Sequence, residues 1–258
     1  MAAALRSFSV DALPVRVFPT VREMAFDAAR EAKETLCAAI AARGAAAAIL
    51  ATGNSQLQFI EELVAPRSVA VDWSRVTLFH MDEYLGISAG HPASLRRYLR
   101  ERVESKAHPL KLHYVEGDAL EPLAECVRYT GLLKAQPIDL CCVGIGENGH
   151  LAFNDPAVAD FNDSRTVKIV KIDQVSKQQQ VGEGYFQSVE AVPQYALTLT
   201  IPALCAVRRM LCVVPEKRKA QVVKNTLYGP ISTKCPATCL RKQAHCILFL
   251  DADSASLI

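Results

Sequence analysis

At 258 residues, 50% hydrophobic and 22% charged, the chain has ordinary globular composition and can bury a sizeable core, which excludes a disordered segment. A formal charge of +2 without a basic run interleaved with aromatics carries no nucleic-acid footprint, and the longest Ala-rich stretch, 38–51, is broken by Arg43 and Gly44 and is too short to span a bilayer. The start, MAAALRSFSVDALPVRVF, lacks the apolar region of a secretory signal, and the nine cysteines sit mostly in apolar runs, as Cys141, Cys142, Cys205 and Cys212 do, so free thiols in a reducing cytoplasm are expected.

In chain order, Thr20 and Glu23 are spaced as a capping box, and the helix they start runs through MAFDAAREAKETLCAAIAA to a natural stop at Gly44. AAAAIL at 45–50 reads as a buried strand. Ala51-Thr52-Gly53-Asn54-Ser55 follows, and helical spacing resumes in QLQFIEEL. Strand, small polar loop and helix start together offer N–H groups and a positive dipole end to an anion such as phosphate. The same turn also serves as a plain helix cap with no ligand. VTLFHM at 76–81 is the next strand, with Asp82-Glu83-Tyr84 beyond its end; the two carboxylates fit a general base with its neighbour, or a solvated turn. HPASLRRYLRERV at 91–103 is helical with Ser94 as a cap, 111–114 is a short strand, and a helix covers about 119–134. Strands follow at 138–143, 166–172, 195–200, 210–214 and 246–250, with a helix at 217–227 and a polar segment at about 173–193. The alternation predicts one α/β domain over 1–258 with a largely parallel sheet.

The central stretch is DLCCVGIGENGHLAFNDP at 139–156, a buried strand that ends in glycines and then presents His150, Asn154 and Asp155. Strand carboxyl ends are where ligands bind in open α/β sheets. Gly144-x-Gly146-x-x-Gly149 also satisfies a dinucleotide-binding pattern, and Asp173 lies near the spacing of a ribose-binding acid. That reading requires a helix to open inside the motif, and Asn154-Asp155-Pro156 breaks one. His150 alone would be a structural histidine. With Asn148 and Asp155 flanking it and Asp82 ending another strand, the residues make a proton-transfer set. Cys235 and Cys239 in CPATC lack a second ligand pair at zinc spacing, so no metal is expected.

MDEYLG at 81–86 with HPAS at 91–94, GIGENGHLAFNDP at 144–156, SRT at 164–166 and KRKA at 217–220, in register along the chain, resemble the glucosamine-6-phosphate deaminase (isomerase) family, related to 6-phosphogluconolactonases. The resemblance implies a three-layer Rossmann-like α/β fold, like that of ribose-phosphate isomerases and CoA transferases. It implies conversion of glucosamine 6-phosphate to fructose 6-phosphate and ammonia, with no cofactor. Asp82 takes the position of the enolisation base and His150 that of the ring-opening catalyst, with Asp155 and Asn148 supporting the histidine. The implied substrate contacts are Thr52, Gly53, Asn54, Ser55, Glu83, Gly146 and Lys219. Phe153-Asn154-Asp155-Pro156 favours the deaminase branch over the lactonases. Departures from the family pattern are Asn148 in place of Asp, Asp155 in place of Glu, ATGNS in place of a Gly-rich loop, and Gly184 about where a lid arginine is expected. The residues after Pro156 do not match the activator site of some bacterial members. Rival readings are an isomerase or lactonase acting on another sugar phosphate, a non-catalytic sugar-phosphate sensor and a dinucleotide-dependent oxidoreductase. A lid at about 173–193 and self-association into a homo-oligomer are further expectations, with a small sugar phosphate as partner and neither nucleic acid nor membrane.

Overall fold

A computed structural model describes residues 4–67 and 69–258. The first three residues of the N-terminal stretch, and Ser68, lie outside the described residues. In chain order the elements are β1 (Arg6–Val10), β2 (Leu13–Phe18), α1 (Val21–Arg43), β3 (Ala46–Leu50), α2 (Leu57–Val64), β4 (Val76–His80), β5 (Asp82–Tyr84), α3 (Leu95–Leu99), α4 (Ser105–Ala107), β6 (Lys111–His113) and α5 (Pro122–Lys134). The second half adds β7 (Leu140–Val143), β8 (Val167–Lys171), α6 (Gln174–Gly182), β9 (Tyr195–Leu199), α7 (Ile201–Cys205), β10 (Arg209–Val214), α8 (Ala220–Tyr228) and β11 (Cys246–Asp251).

Eight strands form one sheet in the order β1-β2-β11-β10-β7-β3-β4-β6, parallel throughout except for β1. Its central strands are apolar on both faces, as a parallel sheet covered by helices on each side requires. On β3, Ala47 and Ile49 enter one core while Ala46, Ala48 and Leu50 enter the other; on β10, Met210, Cys212 and Val214 divide from Leu211 and Val213 in the same way. One layer is built on α1 and α2. The opposite layer holds α5, α7, α8 and a small second sheet. This is the expected three-layer α/β architecture.

Two departures from the sequence reading bear on the site. Thr166–Ile172 and Tyr195–Thr200 do not extend the main sheet. They supply β8 and β9 of an antiparallel sheet ordered β5-β9-β8, whose third strand is the Asp82-Glu83-Tyr84 segment expected to be a loop. The hairpin β1–β2 was not anticipated either. The positions of β1 are exposed or half-buried and those of β2 half-buried or buried, and the strands meet at a two-residue turn in which Asp11 takes φ +50°.

The helix signals hold locally. Glu23 N–H donates to Thr20 Oγ1 at 3.2 Å, although the Glu23 carboxylate accepts from the Thr20 hydroxyl rather than closing the box on its backbone. Gly44 ends α1 with φ +81°. Ser94 caps α3, which passes through a π-helical turn at Arg100–Glu104 before α4. All nine cysteines are free thiols, and Cys235 and Cys239 belong to no metal-binding group among the described residues.

Candidate active site

The chain runs outward from β3 through β4 to β6, then returns to the other side of β3 with β7 and β10, so the order reverses between β3 and β7. At such a point two successive connections leave in opposite directions and open a crevice at the strand carboxyl ends. The cleft lies there. It encloses about 630 Å³, part of it open to solvent, and is lined from the ends of four adjacent parallel strands: Thr52, Gly53 and Ser55 after β3, Met81 and Asp82 after β4, Gly144 to Gly146 and His150 after β7, and Lys219 after β10. A fifth wall comes from α6 and the turn after it, through Gln179, Gln180, Glu183 and Tyr185.

Asp82 is buried, and its Oδ1 has no hydrogen-bond partner among the described residues. Burial, with the Glu83 charge beside it, pushes its carboxyl up to about 8. Such a group can take and return a proton near neutral pH, as an enolisation base must.

His150 is held from behind. Its Nδ1 lies 3.1 Å from Asp155 Oδ1 and 2.9 Å from Ser176 Oγ, while Nε2 has no partner among the described residues. Asp155 is fully buried. It accepts from Asn148 Nδ2 at 2.9 Å, from the Asp173 N–H at 3.0 Å and, in a short contact, from the Ser176 hydroxyl. Burial alone would raise this carboxyl. The donors, His150 foremost, outweigh it and hold Asp155 down at about 2, so Asp155 stays an anion that orients the imidazole. Asn148 Oδ1 also accepts the His150 N–H at 3.0 Å, which fixes the loop's return. Gly146 has no alternative here, because a Cβ on it would lie 2.1 Å from the His150 ring.

The loop expected to receive an anion is shaped by Gly53, with φ +101°, whose carbonyl accepts from Tyr98 Oη at 3.0 Å. Lys219, buried at the start of α8, places its ammonium group without an ion pair or hydrogen bond among the described residues. Burial, then the neighbouring Arg218 charge, lowers it to about 8.

Two expected substrate contacts, Glu83 and Asn54, are placed elsewhere. Glu83 does not line the cleft. It is fully buried beneath it, accepting from Ser94 Oγ at 2.7 Å, Arg96 N at 3.0 Å and Arg96 Nε at 3.2 Å, and so anchors the start of α3. Asn54 turns away to the α6 segment, donating to the Glu183 carbonyl at 3.1 Å and accepting from Tyr185 Oη at 3.0 Å. Asn148 and Asp155 stand behind His150 rather than at the cleft surface. Gly184, about where a lid arginine is expected from the resemblance, takes φ +81° just past the end of α6, a conformation that suits glycine.

Ser176, Gln179, Gln180, Glu183, Tyr185 and Arg218 were not singled out from the sequence. The available signal for Ser176 was Asp173, whose carboxylate accepts the Ser176 N–H at 2.8 Å as the N-cap of α6, rather than serving a ribose. Between β7 and α6 no α-helix opens in the Gly144–Gly149 motif, and a Gly149 N–H to Gly146 carbonyl turn stands in its place, so the geometry of a dinucleotide site is absent.

The family described as glucosamine-6-phosphate isomerases/6-phosphogluconolactonase matches residues 19–249. The chain belongs to this family. It is 34% identical to a glucosamine-6-phosphate deaminase of Listeria innocua over 81% of this chain and 86% of that one, and 35% identical to one from Exiguobacterium sibiricum over 81% and 80%. A solved monomeric glucosamine-6-phosphate deaminase superposes with a TM-score of 0.86 at 28% identity, covering 95% of this chain and 99% of that one. A 6-phosphogluconolactonase from Shewanella baltica shares the fold, with a TM-score of 0.77 at 18% identity over 97% of this chain and all of that one. Among the described residues no helix is long and apolar enough to cross a membrane.

Proposed function

We propose that this chain converts glucosamine 6-phosphate and water to fructose 6-phosphate and ammonia. The observation that carries the proposal is the convergence of a raised carboxyl at Asp82, a carboxylate-backed imidazole at His150 and an unpaired ammonium at Lys219 on one cleft. The deaminase relatives support the substrate class. Asp82 and His150 carry the chemistry, Asp155, Asn148 and Ser176 orient the histidine, and the Thr52–Ser55 loop with Lys219 receives the phosphate.

In this reading His150 Nε2 takes the proton of the anomeric hydroxyl and returns it to the ring oxygen, opening the pyranose. Asp82, ionised on substrate binding, removes the C2 proton and delivers it to C1. The aldehyde oxygen gains a proton and the ammonium group gives one up, so the C1–O double bond is replaced by a C2–N double bond, and hydrolysis of that imine releases ammonia and the ketose. Each step needs only positioned acids and bases. The α6 segment, with polar side chains over the cleft, acts as the lid. The assay is release of ammonia and fructose 6-phosphate from glucosamine 6-phosphate by the purified chain and by Asp82→Asn. Turnover should fall by roughly two powers of ten or more in the variant. Absence of ammonia with the parent protein refutes the proposal, and 6-phosphogluconate formed by hydrolysis of its lactone would put a lactonase in its place.

A further inference from the structure

The cleft holds an acid where an anion is to bind. Glu183 lines it together with Thr52, Ser55 and Lys219, and the Glu183 side chain is only 7% exposed. Its Oε1 accepts from Arg218 Nη1 and from Gln179 Nε2, each at 2.8 Å. Arg218 adjoins Lys219 in sequence and reaches two further carboxylates, with Nε 2.6 Å from Glu216 Oε2 and Nη1 3.3 Å from Glu147 Oε1. Its Nη2 bonds to nothing among the described residues.

Charge counting makes this arrangement unfit for a phosphate as it stands. Arg218 and Lys219 face the carboxylates of Glu147, Glu183 and Glu216, a surplus of one negative charge before any ligand enters. Glu147 and Glu216 have side chains 37% and 43% exposed, so water screens them; Glu183 is the dry one, and its repulsion of a dianion is the least screened. A compact ammonium alone gives one point of attraction, whereas a guanidinium fork offers paired donors to two phosphate oxygens.

We propose that Arg218 is a second phosphate-binding cation, that the Glu183 carboxylate occupies it in the empty protein, and that a dianionic phosphate displaces Glu183 on entry. The proposal rests on the sugar-phosphate reading above. It gives the site a threshold: a sugar without phosphate brings nothing to exchange for the Glu183–Arg218 pair, and the α6 segment stays latched.

The probe is inorganic phosphate, titrated calorimetrically into the full chain. Arg218→Gln should weaken binding about tenfold or more, the value of one charge-assisted hydrogen bond. Glu183→Gln should tighten it several-fold, and Lys217→Gln, which removes a neighbouring exposed charge, should change it by less than about twofold. With glucosamine 6-phosphate, Arg218→Gln should raise KM by the same factor and leave kcat within about threefold. Should Arg218→Gln lose its folding transition, Arg218→Lys carries the test, with a loss of about threefold or more expected from losing the fork. Wild-type affinity in the Arg218 variant, or weaker binding in Glu183→Gln, overturns the proposal. Ammonia release with an unchanged KM in Arg218→Gln sinks it while the deaminase reading stands. The expected phosphate affinities without ammonia release sink the deaminase reading alone.

Discussion

Asp82→Asn should cost activity and increase stability, and the size of the gain should depend on pH. In the unfolded chain this carboxyl ionises near its ordinary 3.8, whereas in the folded protein burial and Glu83 hold it at about 8. Between those values the folded state keeps a proton that the unfolded state has released, so stability falls as pH rises. The loss is about 1.4 kcal/mol per pH unit, about 5 kcal/mol at pH 8 and levelling off at about 6 kcal/mol above it. Asparagine does not ionise and escapes the loss. Its amide must still be buried beside an oxygen position that has no partner, which takes back part of the gain, so a net of about 2–4 kcal/mol is expected at pH 8. For a chain of this size that is roughly 5–10 °C in melting temperature. Thermal melts of both proteins from pH 5 to pH 9 test this. The two curves should nearly meet at the acid end and separate steadily above it, with Asn the more stable. A constant gap, or a less stable variant at pH 8, refutes the argument that Asp82 is a desolvated carboxyl held protonated by the fold.

Ser176→Ala removes the hydroxyl that bridges His150 and Asp155, and it should lower kcat about tenfold with little change in KM, while Ser176→Thr recovers part of the loss; steady-state kinetics decide. Gly146→Ala puts a methyl group against the His150 ring and should cost about a hundredfold in kcat through displacement of the imidazole, with a folded melting transition retained. Lys219→Gln should raise KM for glucosamine 6-phosphate about tenfold or more, and in the parent protein phosphate affinity should decline as pH rises through about 8, where this lysine loses its proton. A calorimetric phosphate titration at pH 7 and pH 9 checks the pH dependence.

The parts of this fold that can be read from the chain are those where one local signal suffices. The run Leu140–Val143 is buried on both faces and ends in glycines, so strand and loop follow directly, and Asp82 after Val76–His80 is read the same way. The second sheet is hidden because Asp82–Tyr84 is short and carries two acids, a composition that argues for a turn. It becomes a buried strand only because Ser94, Leu95 and Arg96, a dozen positions on, satisfy Glu83. Glu83 is expected at the substrate from the family resemblance, and nothing local separates a carboxylate that caps a distant helix from one that meets a ligand. The hairpin β1–β2 alternates as strands should, but Pro14 within β2 weakens the signal, and its place at the sheet margin is set by pairing with β11 at the far end of the chain. Ser176 and Gln179 lie in a helix with little apolar patterning and Glu183 caps its end, and their contacts with Asp155, Glu147 and Arg218 are encoded by no spacing within 174–183.

The attachment of α6 is unequal at its two ends. At the start, Asp173 and Ser176 are stitched to the Asp155 carboxylate through buried bonds, so this end cannot lift without dismantling the support of His150. At the far end the side-chain ties include the Tyr84–Gln180, Asn54–Tyr185 and Glu183–Arg218 pairs, all polar, the last reaching solvent through Arg218. On the function proposed above, this segment would be a flap hung from the edge beside His150, opening from the Lys219 side where phosphate would enter and leave, while the edge that carries the proton chemistry stays assembled between turnovers. Amide exchange should register this as slow exchange at Ser176 and fast exchange from Gly184 to Val192.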